Sequence, residues 1–333
     1  LVWSVLARSI SASWNLRCSN YSRLVSLLRN MPNSPVPKIE YRDRQTGTIF
    51  TETIFSESTL RWFYEDTFGI KVFNLCCNNY IFCTLFGMWQ SSPWSCHKIP
   101  EFVVKYGIEI QDIELPLQSY QNFNAFFTRR LKPEARPFHP DLNVFCAPGD
   151  GKILVYPKLT AADRLPVKGS NLTISSLLAD DTAAQRYHGG SAFVLRLVPD
   201  DYHRFHFPID GTAKLTRSIA GQYHSVNPIA LAQVPDVYCR NQRTVTEFQS
   251  THFGQIAYIE VGAFTVASIV QTYPTGLVTK GQEKGYFQYG GSTLVLLFEP
   301  DTIEFDRDLV VDSAQQLEVR VLTGTKIGNS IAI

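Results

Sequence analysis

Three stretches of the chain carry residues whose types and spacing suit nucleophilic and acid–base chemistry. In 147-APGDGKI-153 an aspartate, Asp150, stands between Gly149 and Gly151. Such a carboxylate belongs on a tight turn, where the backbone can approach another group closely. In 200-DDYHRFHFPIDG-211 two histidines, His203 and His206, lie three residues apart. On a helix the two rings would share a face; on an extended segment they would point to opposite sides. Imidazoles titrate near neutral pH, so the pair suits two separate proton transfers. Zinc could also use such a pair, but no further His or Cys stands at a metal-binding spacing. In 281-GQEKGYFQYGGSTLVLLFE-299 two glycines precede Ser292 and an apolar run follows. This is not the GxSxG elbow of hydrolases, because no glycine lies two residues after Ser292 and a strand, not a helix, comes next. Each stretch alone has an ordinary reading as an Asp-Gly turn, a core histidine or a hairpin. Together they hold the parts of an activated serine. The glycines also leave the Ser292 hydroxyl unobstructed toward its own preceding carbonyl.

The elements that must position these residues change character along the chain. Over 141–333 short β-branched and aromatic runs alternate with Gly, Pro and Asp turns, as in 192-AFVLRLV-198, 256-IAYIEVGAFTVASIVQTY-273 and 293-TLVLLF-298. This part is predicted to be a β-rich catalytic domain with one helix over 174–188. Residues 40–140 are predicted to be mostly helical, with Leu60, Phe63, Tyr64 and Phe68, then Ile99, Phe102, Val103 and Tyr106, near helical spacing. Between them 69-GIKVFNLCCNNYIFCTLFGMW-89 is very apolar but interrupted by Lys71, Asn74, Asn78 and Asn79. It reads either as a core helix or as a segment lying in a membrane interface, with Trp89 and Trp94 at headgroup depth. Residues 1–39 hold no Asp or Glu but carry Arg8, Arg17, Arg23, Arg29 and Lys38. That composition suits a mitochondrial transit peptide; alternatively translation starts at Met31 and the basic segment is absent. The expected fold class is α+β: a helical, membrane-docking N-terminal region followed by a mainly antiparallel, β-rich domain.

Composition narrows the functional classes. Of 333 residues, 44% are hydrophobic and 18% charged, so the chain can bury a sizeable core. Its 31 basic residues nearly cancel 30 acidic ones, which excludes an electrostatic nucleic-acid binder. Seven scattered cysteines with no CxxC pair argue for reduced thiols over a disulfide framework or a structural zinc site.

Seven ordered stretches carry a family resemblance: 39-IEYRDRQTG-47, 122-NFNAFFTRRLKPEARP-137, 147-APGDG-151, 201-DYHRFHFPIDG-211, 221-GQYHSVNPIAL-231, 260-EVGAFTVASI-269 and 280-KGQEKGYFQYGGST-293. On these the chain resembles the phosphatidylserine decarboxylases, pyruvoyl-dependent membrane enzymes made as self-cleaving proenzymes, and its GGST site is similar to that of the bacterial-type subgroup. The resemblance implies a triad in which Asp150 orients His206, and His206 is the base for Ser292. Ser292 would attack the Gly291 carbonyl, and the chain would split between Gly291 and Ser292 into a β chain ending at 291 and an α chain of 292–333. Ser292 would become a pyruvoyl group, with neither PLP nor a metal required. That group would form a Schiff base with phosphatidylserine, release CO2 and leave phosphatidylethanolamine. His203 is the implied candidate proton donor. Gly149 departs from the alanine common in the family before the catalytic Asp. Arg129, Arg130, Lys168, Asn227, Asn241 and Arg243 are all candidates for the substrate phosphate, and sequence does not choose among them. The implied partners are a phosphatidylserine bilayer and the two chains of one precursor, with a homodimer also open. The implied location is peripheral or interfacial on a membrane, the mitochondrial inner membrane if residues 1–30 are a transit peptide. Two other readings stand beside this one: a catalytically silent lipid-binding relative, and a pyruvoyl decarboxylase of a soluble amino acid.

Overall fold

The apolar run after Ser292 becomes the middle strand of a large sheet. Ser292–Phe298 is buried along its whole length. It lies antiparallel between Gly254–Gly262 and Ser191–Leu197. A strand buried on both faces needs apolar residues at every position rather than at alternate ones. Leu294, Leu296 and Phe298 enter one core, with Phe145, Phe193 and Phe253, while Val295 and Leu297 enter the core on the opposite face. Each such side chain contributes about 1.5–3 kcal/mol by leaving water.

The sheet continues on one side through Arg243–Ser250 to Gly211–Ala213 and Gly276–Val278. On the other side it runs through Gly151–Tyr156 and Glu318–Val321 to Glu40–Asp43 and Ile49–Thr51. Among the described pairs of this sheet only Glu40–Asp43 with Glu318–Val321 is parallel. A small separate sheet of Ile269–Gln271, Glu283–Phe287 and Arg204–His206 leads directly into the Gly290 turn and Ser292. It is this small sheet that brings the histidine segment to the start of the central strand. This computed structural model describes residues 38–159, 164–165, 172–265, 268–290 and 292–331. Of these, residues from Ile39 onward belong to one unit. The basic leader, apart from residues 38–39, lies outside the described residues, as do Lys168 and Gly291.

Between the Ile49–Thr51 strand and the rest of the sheet the chain forms the helices Glu57–Glu65, Thr67–Val72, Tyr80–Gln90 and Lys98–Tyr106. Ile99, Phe102 and Val103 are buried, the i, i+3, i+4 stripe that the spacing predicts. Of the asparagines that interrupt the apolar 69–89 run, Asn74 lies within the helical segment Phe73–Cys77, and Asn78 and Asn79 are cap residues. Asn79 accepts the Phe82 N–H at 2.9 Å and so caps the Tyr80–Gln90 helix. Asn78 accepts the Tyr223 N–H at 2.7 Å and contacts His224 Nε2 at 3.1 Å, pinning the turn to the β-rich part.

The structure departs from the sequence-based expectations for these elements at two places. Residues 40–51 form two strands of the large sheet, not helix. The adjoining Glu52 is held there by the fully buried Arg196, which also binds Glu318. The helix expected over 174–188 is two short helices, Ile174–Leu178 and Asp181–Gln185. Ala179 between them is left-handed, φ 49°, and Asp180 caps the second helix through the Ala183 N–H. The β-branched stretch 256–273 carries parts of two strands, Gly254–Gly262 and Ile269–Gln271.

Candidate active site

Ser292 opens the central strand, opposite Gly262 on one neighbour and Leu197 on the other, and is fully buried. Its Oγ lies 3.4 Å from Nδ1 of His203. The other ring nitrogen of His203, Nε2, lies 2.9 Å from the Val198 carbonyl oxygen. A carbonyl only accepts, so the neutral ring carries its proton on Nε2 and presents a bare Nδ1 lone pair to the serine. Phe127 stacks on the imidazole with centroids 4.0 Å apart and fixes its plane. Burial, reinforced by the Arg129 charge, lowers the His203 pKa to about 3, so the ring is neutral at pH 7. The geometry can therefore move the Ser292 proton onto His203, and a contact that is long at rest can shorten as the reaction proceeds.

His206, the base expected from sequence, sits on the opposite side of the same extended segment. The Arg204–His206 strand sends residues three apart to opposite sides. The His206 ring lies between Tyr202 and Phe138, with centroids 5.9 Å away in each case. Its Nδ1 has no hydrogen-bond partner among the described residues. Burial lowers its pKa to about 4. His206 borders a cleft of about 500 Å³ together with Glu283, Arg130 and Tyr202.

Asp150 is buried at the end of the glycine turn, and the Pro148 carbonyl of that turn accepts the His206 N–H at 2.8 Å. Its carboxylate is held by Arg136, through Nε at 3.0 Å and Nη2 at 2.8 Å, and by Thr323, through N–H at 2.8 Å and Oγ1 at 2.7 Å. Burial alone would raise its pKa, but these donors outweigh it and hold the carboxyl below its ordinary range. Among the described residues Asp150 makes no hydrogen bond to either imidazole, though its charge favours the protonated form of both. A Cβ added at Gly149 would meet Leu294 and Leu195 at 3.5 and 3.6 Å, ordinary contact, so the alanine common in the family would fit here.

The structure thus joins Ser292 to His203, while Asp150 is bonded to Arg136 and Thr323 and the His206 ring sits between Tyr202 and Phe138. Sequence reasoning missed Arg136, Thr323 and Phe127. Arg136 and Phe127 lie inside the 122–137 stretch without a distinguishing signal, and Thr323 lies in none of the quoted stretches. Among the described residues no group of three or more His, Cys, Asp or Glu side chains could hold a metal ion.

The sequence profile of the family described as phosphatidylserine decarboxylase matches residues 123–329. A protein of Chlamydia felis named phosphatidylserine decarboxylase proenzyme is 41% identical over 295 residues, covering 88% of this chain and 99% of its own length. One from Clostridium botulinum with the same name is 41% identical over 292 residues, covering 87% and 99%. Another, from Clostridium novyi, is 39% identical over 294 residues, covering 88% and 100%.

Proposed function

The chain belongs to the phosphatidylserine decarboxylase family, and on that premise we propose how its own residues prepare and carry out the reaction. The protein is a carboxy-lyase made as a proenzyme: it removes CO2 from phosphatidylserine and leaves phosphatidylethanolamine. We assign the self-processing to Ser292 and His203. The observation that carries this assignment is the bare Nδ1 of His203, 3.4 Å from the serine hydroxyl.

In the first step His203 takes the hydroxyl proton as Ser292 Oγ attacks the Gly291 carbonyl carbon. The Gly291–Ser292 C–N bond breaks, the freed amine takes a proton, and an ester joins the two residues. Loss of the Ser292 Cα proton then breaks the Cβ–Oγ bond and leaves Gly291 with a free carboxylate. One water converts the remaining unsaturated residue to a ketone and releases ammonia. The surroundings suit this conversion. Ser292 is held by strand pairing on both sides, and Gly290 has φ 138°, a backbone shape that side chains resist. A pyruvoyl group at this position supplies an electron sink for loss of CO2. His203, beside it, is our candidate for returning a proton to the substrate carbon. Asp150 completes the site as a fixed negative charge near both imidazoles.

A role for His206 in the first step would require its ring to leave the Tyr202–Phe138 seat. Intact-mass spectra of denatured protein separate the two assignments. The wild type is expected to split between Gly291 and Ser292, with the 42-residue piece from Ser292 to Ile333 about 17 Da lighter than a free serine terminus gives. Ser292→Ala and His203→Gln are expected to stay whole, and His206→Gln to split. Splitting of His203→Gln with an intact His206→Gln would transfer the role to His206. A folded but uncut wild type would end the self-processing proposal. Release of CO2 from phosphatidylserine by the split protein tests the decarboxylase activity directly.

The substrate lies in a bilayer, and we propose that the Tyr80–Gln90 helix meets it. No helix among the described residues is long and apolar enough to cross a membrane. Ile81, Leu85 and Met88, one face at i, i+4 and i+7, are all exposed, as are Leu75 and Trp94 nearby. The helix holds no charged residue. An outward apolar face of this kind suits insertion to headgroup depth. Replacing Ile81, Leu85 and Met88 by Ser should leave self-cleavage intact and reduce co-flotation with phosphatidylserine vesicles; unchanged flotation would exclude this face.

A further inference from the structure

Arg129 is a buried cation whose charge adds to burial in keeping His203 neutral but whose hydrogen-bond donors the steps above leave without a task. It follows the Phe123–Phe127 helix, whose Phe123, Phe126 and Phe127 are all buried, and its guanidinium lies 5.0 Å from the centre of the Phe126 ring. The residue is only 4% exposed. Nη2 donates to the backbone carbonyls of Asp200 at 3.1 Å and Asp201 at 3.3 Å. Nε and Nη1 are buried and donate to nothing among the described residues. A guanidinium keeps its proton, so these unmet donors carry a real cost unless something fills them.

Its neighbours show that the arrangement is particular to Arg129. The side chain lines two clefts, of about 410 and 350 Å³. In the larger one Arg136 is paired with Asp150, Lys152 with Glu52 and Arg320 with Asp43. Arg129 instead spends one nitrogen on carbonyls and keeps two free. Of the other candidates, Arg130 is exposed, so water meets its donors at no such cost, Lys168 lies outside the described residues, and the remaining three have structural tasks. Arg243 donates to the carbonyls of Leu177, Ser176 and Asn241. Asn241 donates to those of His224 and Gly262, and Asn227 caps a helix through the Ile229 N–H.

We infer that Arg129 binds the phosphate of the phosphatidylserine headgroup. The substrate offers two anions, and the chemistry separates them. A cation on the departing carboxylate would stabilise the ground state more than the transition state, because that charge moves into the electron sink as CO2 leaves. The phosphate keeps its charge throughout, so a cation there binds substrate, transition state and product alike and acts on KM. Guanidinium groups also match phosphate oxygens in geometry.

This inference rests on the decarboxylase reading, and the test keeps the two apart. Self-cleaved wild type, Arg129→Gln and Arg129→Lys are assayed on phosphatidylserine in mixed micelles. Glycerophosphoethanolamine, which has the phosphate and no carboxylate, serves as the inhibitor. The glutamine variant is expected to raise KM and the inhibitor Ki by the same factor, about 10- to 100-fold, as for loss of charge-assisted hydrogen bonds, with kcat nearly unchanged. Lysine should recover part of the loss. An unchanged Ki, whether or not kcat falls, overturns the phosphate site. If the glutamine variant does not fold or cleave, wild-type crystals soaked with glycerophosphoethanolamine decide. Phosphate oxygen within about 3.2 Å of Nε or Nη1 supports the site, and phosphate bound elsewhere overturns it. A wild type that binds the inhibitor through Arg129 yet releases no CO2 would sink the decarboxylase reading alone.

Discussion

Asp150 is a buried carboxylate whose ionised form depends on two partners far from it in the chain. Arg136 supplies three hydrogen bonds through two nitrogens and Thr323 two more. Removing one partner of such a pair leaves an uncompensated buried charge, typically about 3–5 kcal/mol. Arg136→Met should therefore lower the urea-unfolding free energy by about that amount, and thereby raise the Asp150 pKa. A loss below about 1 kcal/mol would mean that Thr323 and solvent suffice for the carboxylate. Asp150 itself was legible in the sequence, because Gly-Asp-Gly marks a turn with an acid at its tip. Its partners were not, because no local pattern links residue 150 to residues 136 and 323. The histidines were legible as a pair, but which ring meets Ser292 turned on whether 203–206 is helical or extended. Strand pairing of Arg204–His206 with Glu283–Phe287, a contact remote in sequence, decides that.

The break at Ala179 shows what periodicity alone cannot supply at the level of elements. The stretch 174–188 has helical composition, yet the chain turns at Ala179 in the left-handed region, φ 49°. A side chain costs about 1–2 kcal/mol there, and glycine avoids the clash. Ala179 is exposed, so little packing is lost by removing its methyl group. Ala179→Gly should raise stability by a few tenths to about 1 kcal/mol in urea unfolding, against the usual cost of glycine in a helix. A loss of stability would mean that the two short helices fuse in solution. The central strands were read correctly from their apolar runs because burial on both faces leaves an unbroken signal. Glu40–Asp43 was not, because it is short and polar and is a strand through its pairing with Ile49–Thr51 and, across the chain, with Glu318–Val321.

At the scale of the whole molecule, the buried imidazoles tie stability to pH. His203, His206 and His224 have pKa values lowered to about 3, 4 and 4, each chiefly by burial. Below the unfolded value near 6.5 the unfolded chain binds protons that the folded chain refuses, so stability falls as pH falls. The loss runs from about pH 6.5 down to the folded values and ends there. Asp201 works the other way: burial raises its pKa to about 6, so on acidification the folded form takes the proton first. Glu52, lowered to about 2 by Arg196 and Lys152 against the effect of burial, keeps its charge through this window and adds no slope. Burial raises the Asp200 pKa as well, so three imidazoles against two carboxyls leave a net slope of up to about 1–2 kcal/mol per pH unit between pH 6 and 4.5. The measurement is best made on the uncut Ser292→Ala chain, where unfolding does not separate two polypeptides. Its urea midpoint should fall steadily from pH 7 to 4.5. A midpoint that is flat or rises on acidification would mean that water reaches these rings and that they protonate in place. His203 would then reach pH 5 as a cation, unable to accept the Ser292 proton, and self-cleavage should fail over the same interval.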